Sequence, residues 1–513
     1  MIATNVRRLG VYLLLAFAAI SAALSWWQVL DAPTLSSRAD NPQVIAARRS
    51  ALRGSIFDAR GNLLASSRLV AGISTRTYTD PAFTHVIGYA SLRFGTTGVE
   101  RAWDDVLTGR ADPNPLNDLV NDILDRRPPP RDLTLTIDRR LQDFALAQLG
   151  SQVGAVVALD PRSGEVLAMV STPTFDATPI SGDPAVAAEP MAQIQAQPNN
   201  PLVARARQGR YTPGSIMKVV TAAAALDAGV ITPQTTFPDQ PQQERDGFVV
   251  EGFRVREHDL GSIQPDLWPL SPALQVSSNI FFAHVGLELG TEAYLQYARR
   301  FGFCEPIEIG SGSRSLPVVP SYVTAQVDGD CAPFSDRAEL AQAAFGQGRV
   351  DVTPVQMALV AATIANDGVM RQPYAVRDLR VHADDPNAGP SDQVIERYGG
   401  GEERVVSAEA AAQTRAAMVD AVNGELGVVF AGGARLSNFG IAGALAAGKT
   451  GTAERGPGLP PHSWFIGFAP GQEGAEPTIA VAVIVEGGGS GAGRAAPIGG
   501  AVMAEWLRLQ GAG

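Results

Sequence analysis

Of the 41 basic residues in this 513-residue chain only two, Lys218 and Lys449, are lysines. Each lies in a short pattern suited to serine acyl transfer. A guanidinium cannot be deprotonated inside a protein, whereas an ammonium taken out of water can lose its proton near neutrality. A lysine kept in a chain that otherwise uses arginine is therefore a candidate for proton chemistry. The first pattern is Ser215-Ile216-Met217-Lys218. Positions i and i+3 of a helix share a face, so the hydroxyl and the amine come within hydrogen-bond reach. Met217, Val219 and Val220 would keep water from the amine, which lets a neutral Lys218 act as the base that activates Ser215. A helix N-terminus at Ser215 would favour an alkoxide and a developing oxyanion. Taken alone this pattern is weak, because a capping serine followed by a surface lysine arises often by chance. The scarcity of lysine reverses that weighting.

The second pattern is Ser277-Ser278-Asn279, at the head of an expected helix. Alone it reads as a helix cap; together with the first, Ser277 would relay protons and the Asn279 amide would orient Lys218 and the substrate backbone. The third is Lys449-Thr450-Gly451-Thr452 on an expected strand. Its cation and hydroxyls suit a carboxylate, and Gly451 permits close approach of another chain. The three in this order are far more specific than any one of them.

Several elements must position these groups. A strand is expected over Leu133–Ile137 and a helix over Arg139–Leu149. Two β-rich runs, 154–160 and 165–171, flank the turn Pro161-Arg162-Ser163-Gly164 and read as a hairpin. A buried helix is expected from Ser215 to Ala228, led in by Thr212-Pro213-Gly214 and stopped by Gly229. Helices are also expected over Asn279–Leu289, Val355–Ala365 and Gly500–Leu509, and strands over 444–453, 463–469 and 478–485, with a polar loop at 383–403. Three prolines, Pro128 to Pro130, mark a boundary. The expected organisation is a tail over 1–9, a transmembrane anchor over 10–30, an N-terminal domain over 31–130 and a catalytic domain over 131–513, with no internal repeat.

Gly10 to Leu30 is an uncharged apolar run, preceded by Arg7 and Arg8 and followed by Asp31, with Trp26 and Trp27 placed as interfacial aromatics. At roughly 1.5 Å per residue it matches a bilayer's hydrocarbon thickness. The positive-inside rule puts the N-terminus in the cytoplasm and the rest outside. A cleaved signal peptide ending near Ser21-Ala22-Ala23 is the rival, and the length of the run favours the anchor. With 45% hydrophobic and 18% charged residues the chain is globular. Its net charge of −11 excludes a nucleic-acid surface. Cys304 and Cys331 are either a disulfide or two separate buried thiols, and both readings stand on sequence alone. The five histidines, at 85, 258, 284, 382 and 462, have no ligand spacing, so no metal and no cofactor are expected.

At this point the chain resembles the class B penicillin-binding proteins, which are monofunctional membrane-anchored transpeptidases. Arg53-Gly54-Ser55-Ile56-Phe57-Asp58 with Gly61 and Leu64-Ala65, then Arg76-Thr77-Tyr78, His85, Gly88-Tyr89 and Gly98-Val99-Glu100, resemble the family's N-terminal pedestal blocks. Ala158-Leu159-Asp160-Pro161 with Gly164-Glu165, Tyr211-Thr212-Pro213-Gly214, Gly346-Gln347-Gly348 with Thr353-Pro354, and His462-Ser463-Trp464-Phe465 resemble its enzymatic domain. Tyr78-Thr79 departs from the family's common Tyr-Pro, and the pedestal is short.

The resemblance implies an α+β fold. A serine β-lactamase-like transpeptidase domain, an antiparallel sheet flanked by helices, would stand on a β-rich pedestal behind one transmembrane helix. It implies that Ser215 attacks a D-Ala-D-Ala stem peptide with Lys218 as base and Ser277 and Asn279 as relay. Lys449 and Thr450 would bind the terminal carboxylate, beside Gly451 and Thr452, and the N–H groups of Ser215 and Thr452 would form the oxyanion hole. An amine of a neighbouring stem would take the acyl group, and β-lactams would trap Ser215. Glycan polymerisation would fall to a membrane-embedded partner of the shape or division type. The competing readings are a D,D-carboxypeptidase or β-lactamase, in which water takes the acyl group, and a non-catalytic sensor of β-lactams or muropeptides.

Overall fold

The computed structural model describes residues 2–26, 50–110, 128–456 and 458–511. It divides into two compact units, one of residues 1–52 and 67–75, the other of residues 53–66 and 76–513. In the first, helix α1 (Ile2–Ser25) is continuous. Its segment Asn5–Ser25 is long and apolar enough to cross a membrane. Leu14 and Phe17 are each 71% exposed, as an anchor awaiting lipid would be. Residues 27–30 of the expected span lie outside the described residues.

Residues from 53 onward form two main sheets. Strands β1 (Ile56–Phe57), β2 (Leu63–Val70), β3 (Ile73–Tyr78) and β4 (Arg131–Leu135) belong to the first of them. Helix α2 (Arg139–Leu149) follows, capped by the Asp138 carboxylate accepting from Arg140 N. The hairpin β5 (Gly154–Leu159) and β6 (Val166–Thr172) is antiparallel, as its turn predicts. Helices α3 (Lys218–Asp227), α4 (Asn279–Leu289) and α5 (Pro354–Ala365) come next. Strands β7 (Val376–Val381) and β8 (Val394–Arg397) complete the first sheet, in the order β8-β7-β4-β1-β2-β3. The second sheet adds β9 (Ala447–Ala453), β10 (His462–Ala469) and β11 (Ile479–Val485), and helix α6 (Ala495–Gly511) ends the chain.

The second sheet runs β9-β10-β11-β5-β6, antiparallel throughout. Every residue of β11 is buried, which requires cover on both faces. Alternation along the strand supplies it. Ala480, Ala482 and Ile484 join the core that contains α3 and α5, while Ile479, Val481, Val483 and Val485 join the core that contains α2 and α6. The α+β layering implied by the resemblance is the one observed.

Several boundaries move. The first strand after the prolines starts at Arg131, because its pairing with Val381 begins there. The segment expected as a polar loop, 383–403, contains β8, and Glu402–Arg404 pairs with Val369–Arg371. Both are exposed edge strands whose polar side chains hide the strand signal. The last helix starts at Ala495, five residues early, behind two glycines that local propensity counts against it. Cys304 and Cys331 form a disulfide.

Three of the dispersed N-terminal blocks meet in one ion cluster. Arg76 Nε donates to Glu100 Oε1 at 2.6 Å and Arg53 Nε to Glu100 Oε2 at 2.8 Å, with Glu100 wholly buried. Arg76 also donates to Gly54 O at 2.8 Å. Burial works against the Glu100 charge, but the two arginines outweigh it and hold the carboxyl below its ordinary value. Removing one member leaves the others charged and dry, so Glu100→Ala is expected to cost about 3–5 kcal/mol, measured by denaturant unfolding. The contribution of Glu100 is present above its ordinary pKa near 4.5 and lost as pH falls through the lowered folded value.

Candidate active site

The turn leading to α3 is a 3-10 helix, Gly214–Met217, rather than the first turn of an α-helix. In that geometry residues three apart eclipse one another, so Ser215 lies directly over Lys218. Ile216 and Met217 are wholly buried and fasten the turn into the core, while Ser215 stays half-exposed. Lys218 is wholly buried. Its Nζ lies 3.0 Å from Ser215 Oγ, 2.5 Å from Ser277 O, 3.2 Å from Ser277 Oγ and 2.8 Å from Asn279 Oδ1.

The second motif is held by the head of α4. Ser278 is its N-cap, its hydroxyl accepting from Phe281 N, and Asn279 opens the helix. Ser277 precedes the cap at φ +62°, a left-handed conformation that aims both its carbonyl and its hydroxyl at the lysines. Non-glycine residues take that conformation rarely, and it clusters at functional sites.

The third motif lies on β9, the edge strand of the second sheet. Lys449 is 2% exposed and its Nζ donates to Ser277 Oγ at 2.9 Å and to Thr450 O at 3.1 Å. The two lysines therefore share one serine hydroxyl. Thr450 is buried and Thr452 is exposed at the cleft. Gly451 allows the strand to pass the Ser215 turn, since a Cβ there would stand 2.6 Å from Pro213 O. Gly346, at φ +82°, backs the turn from the other side: its carbonyl accepts from Gly214 N at 2.9 Å, and a Cβ would fall 1.9 Å from Gly214 O. All eight site residues named from sequence thus converge on one cleft.

Burial brings Lys218 down from 10.5 to about 7, with Glu257 acting in the opposite direction. Lys449 is pushed well below its ordinary value, first by burial and then by the charge of Lys218. Two ammonium groups on one hydroxyl in a dry site repel, so the pair favours a state with at least one neutral amine.

Sequence reading missed the supports. Arg256 O accepts from Asn279 Nδ2 at 3.0 Å, and the Glu257 carboxylate accepts from Asn279 N at 2.9 Å. On the other flank, Tyr211 donates to Glu486 at 2.8 Å, Arg205 Nε pairs with the same carboxylate at 2.7 Å, and Trp464 Nε1 donates to Thr212 O at 3.1 Å. These contacts explain why Tyr211-Thr212-Pro213-Gly214 and His462-Ser463-Trp464-Phe465 occur together. Glu257 and Glu486 belong to no motif, and nothing local distinguishes them among 52 acidic residues.

A half-exposed serine within reach of a buried amine, and a second amine on an edge strand, set on a sheet layered between helices, are the arrangement of a serine acyltransferase. The family described as the penicillin binding protein transpeptidase domain matches residues 154–504, and the penicillin binding protein A dimerisation domain matches residues 53–131. The chain belongs to the class B penicillin-binding proteins. It is 35% identical to the peptidoglycan D,D-transpeptidase PbpA of Mycolicibacterium smegmatis over 98% of this chain and 99% of that one. It is 33% identical to PbpA of Mycobacterium tuberculosis over 97% and 98%. The solved imipenem acyl-enzyme complex of penicillin-binding protein A from M. tuberculosis superposes with a TM-score of 0.74 at 33% identity, covering 90% of this chain and all of that one.

Proposed function

We propose that this chain is a peptidoglycan D,D-transpeptidase working through a Ser215 acyl-enzyme. The observation that carries the reading is the environment of Lys218 Nζ. Ser277 O and Asn279 Oδ1 can only accept, so the amine donates an N–H to each. In the neutral form those two hydrogen bonds use both N–H groups and leave the lone pair for the Ser215 hydroxyl at 3.0 Å. Burial favours that neutral form, so the site is able to deprotonate Ser215.

As Lys218 takes the Ser215 proton, Oγ attacks the carbonyl carbon of the penultimate D-Ala. The oxyanion is received by the N–H groups of Ser215 and Thr452. The C–N bond then breaks, and the terminal D-Ala leaves as an amine with a proton passed through Ser277. An amine of a second stem attacks the ester, gives up its proton to the same relay, and releases Ser215 with a cross-link formed. The donor stem lies along edge strand β9, whose free backbone edge can pair with an extended peptide. Its carboxylate meets Lys449 and Thr450, beside Gly451 and Thr452. β-Lactams resemble the D-Ala-D-Ala end and acylate the same serine.

The reading extends to the organisation of the chain: a cytoplasmic tail over 1–9, the anchor over 10–30, a pedestal over 31–130 and a transpeptidase domain over 131–513. The catalytic unit faces the cell exterior, with a membrane-embedded glycan polymerase of the shape or division type as partner. Incubating the purified chain with a stem peptide ending in D-Ala-D-Ala and an acceptor amine is expected to yield cross-linked peptide, with one D-Ala released per link. D-Ala release without cross-links would identify a carboxypeptidase, rapid turnover of penicillin a β-lactamase, and neither reaction a sensor.

A further inference from the structure

The segment before the second motif clasps all of it. Arg256 O accepts from Asn279 Nδ2 at 3.0 Å, which fixes the amide so that Oδ1 faces Lys218. His258 Nε2 lies 2.8 Å from Val276 O on the other side of the motif. Between them Glu257, with a side chain only 4% exposed, accepts from Asn279 N at 2.9 Å, Ile280 N at 3.3 Å and Ser278 Oγ at 2.8 Å. A carboxylate on the first N–H groups of α4 is favoured by the helix dipole. Here it also stands behind the two oxygens that bind the Lys218 amine. Such a cap alone would only stabilise a helix end. Placed here, it also fastens Ser278 and Asn279, the two residues that follow the left-handed Ser277, and brings a negative charge to a dry site holding two amines.

We propose that Glu257 is a positioning residue for acylation: it holds Ser277 O and Asn279 Oδ1 on Lys218 and supplies the negative charge that acts on the buried amine. This rests on Lys218 being the base. The charged and titratable groups around that amine are Lys449 on β9, Glu257 and His258 on the preceding segment, and Glu244, which lies behind Ser278 with Oε1 3.1 Å from its hydroxyl. The charge of Lys218 in turn disfavours a proton on Lys449 and on His258, beyond the effect of burial on each, and burial pushes Glu244 towards its neutral form. Glu257 is the carboxylate that opposes burial at Lys218. Removing its charge makes the amine lose its proton at lower pH and also makes it a weaker base.

The test is the second-order rate of acylation by a fluorescent penicillin across pH, on the purified full-length chain in detergent. Relative to wild type, Glu257→Gln is expected to move the acid limb down by about one pH unit and to lower the plateau about tenfold. Glu257→Asp, with its charge drawn back by one methylene, is expected to shift the limb less. A Glu257→Gln limb that coincides with wild type, or moves up, overturns the proposal, because a simple helix cap would change plateau or melting temperature and leave the limb in place. If Glu257→Gln does not fold, Glu257→Asp decides alone, and an unmoved limb is again fatal. Absence of labelling in wild type, or labelling of a Ser215→Ala variant, would instead remove the acyl-enzyme reading itself.

Discussion

Ser215→Ala is expected to abolish labelling by a fluorescent penicillin, and Lys218→Arg to slow it by about 10³-fold, within the range that a general base contributes. The first removes the atom that forms the ester. The second is the sharper test, because it retains a cation of similar reach and removes only the capacity to be neutral. In wild type the Lys218 amine comes down to about 7 through burial. A large fraction is therefore neutral at physiological pH, and acylation rises as pH passes through that value. A guanidinium stays charged across the range, so the Lys218→Arg variant has no limb to show. It also offers no lone pair to the Ser215 hydroxyl. Normal labelling of Lys218→Arg would reject Lys218 as base. A melting temperature close to wild type in the same preparation separates loss of chemistry from loss of fold.

Lys449→Arg is expected to reduce acylation about 100-fold, the scale of losing one well-placed polar group in an active site. Arginine binds carboxylates well, so an anion site open to solvent would tolerate this change. The structure explains the expected intolerance. Lys449 Nζ is buried and donates to the hydroxyl that also lies 3.2 Å from Lys218 Nζ. A guanidinium there is longer, permanently charged and close to the base. Its charge would drive the Lys218 proton off at lower pH, so the acid limb moves down while the plateau falls. Acylation rates of the two proteins across pH check this. A Lys449→Arg variant with wild-type rate and limb would leave Lys449 as an anion binder with no part in the proton network.

Much of this site is legible without coordinates because its signals are local. Helix α4 begins and ends where Ser278, Asn279 and Gly290 place it, since a capping hydroxyl and a stopping glycine act within one turn of chain. Helix α2 starts at Arg139 for the same reason, with Asp138 as its cap. The hairpin of β5 and β6 follows from its turn residues. The boundaries that moved are those set by distant partners. The strand at Arg131 begins where Val381 pairs with it, and β8 exists because β7 offers an edge. The turn at Ser215 is a 3-10 turn rather than α-helical, in a place where Gly346 and Thr452 crowd Gly214.

The residue types alone pointed to the proposed chemistry. Two lysines in an arginine-rich chain, one three residues after a serine and one before Thr450, are enough to propose a nucleophile, a base and an anion-facing strand. Spacing within a motif carries that information because it depends only on the periodicity of helix and strand. Tertiary structure decided what no spacing can encode: that both lysines meet on Ser277, that burial lowers both, and that Glu257, 22 residues from Asn279 in sequence, orders the motif between them. Proton affinity in a protein is set by removal from water and by charges brought close through the fold, and both arise only when segments far apart in the chain pack together.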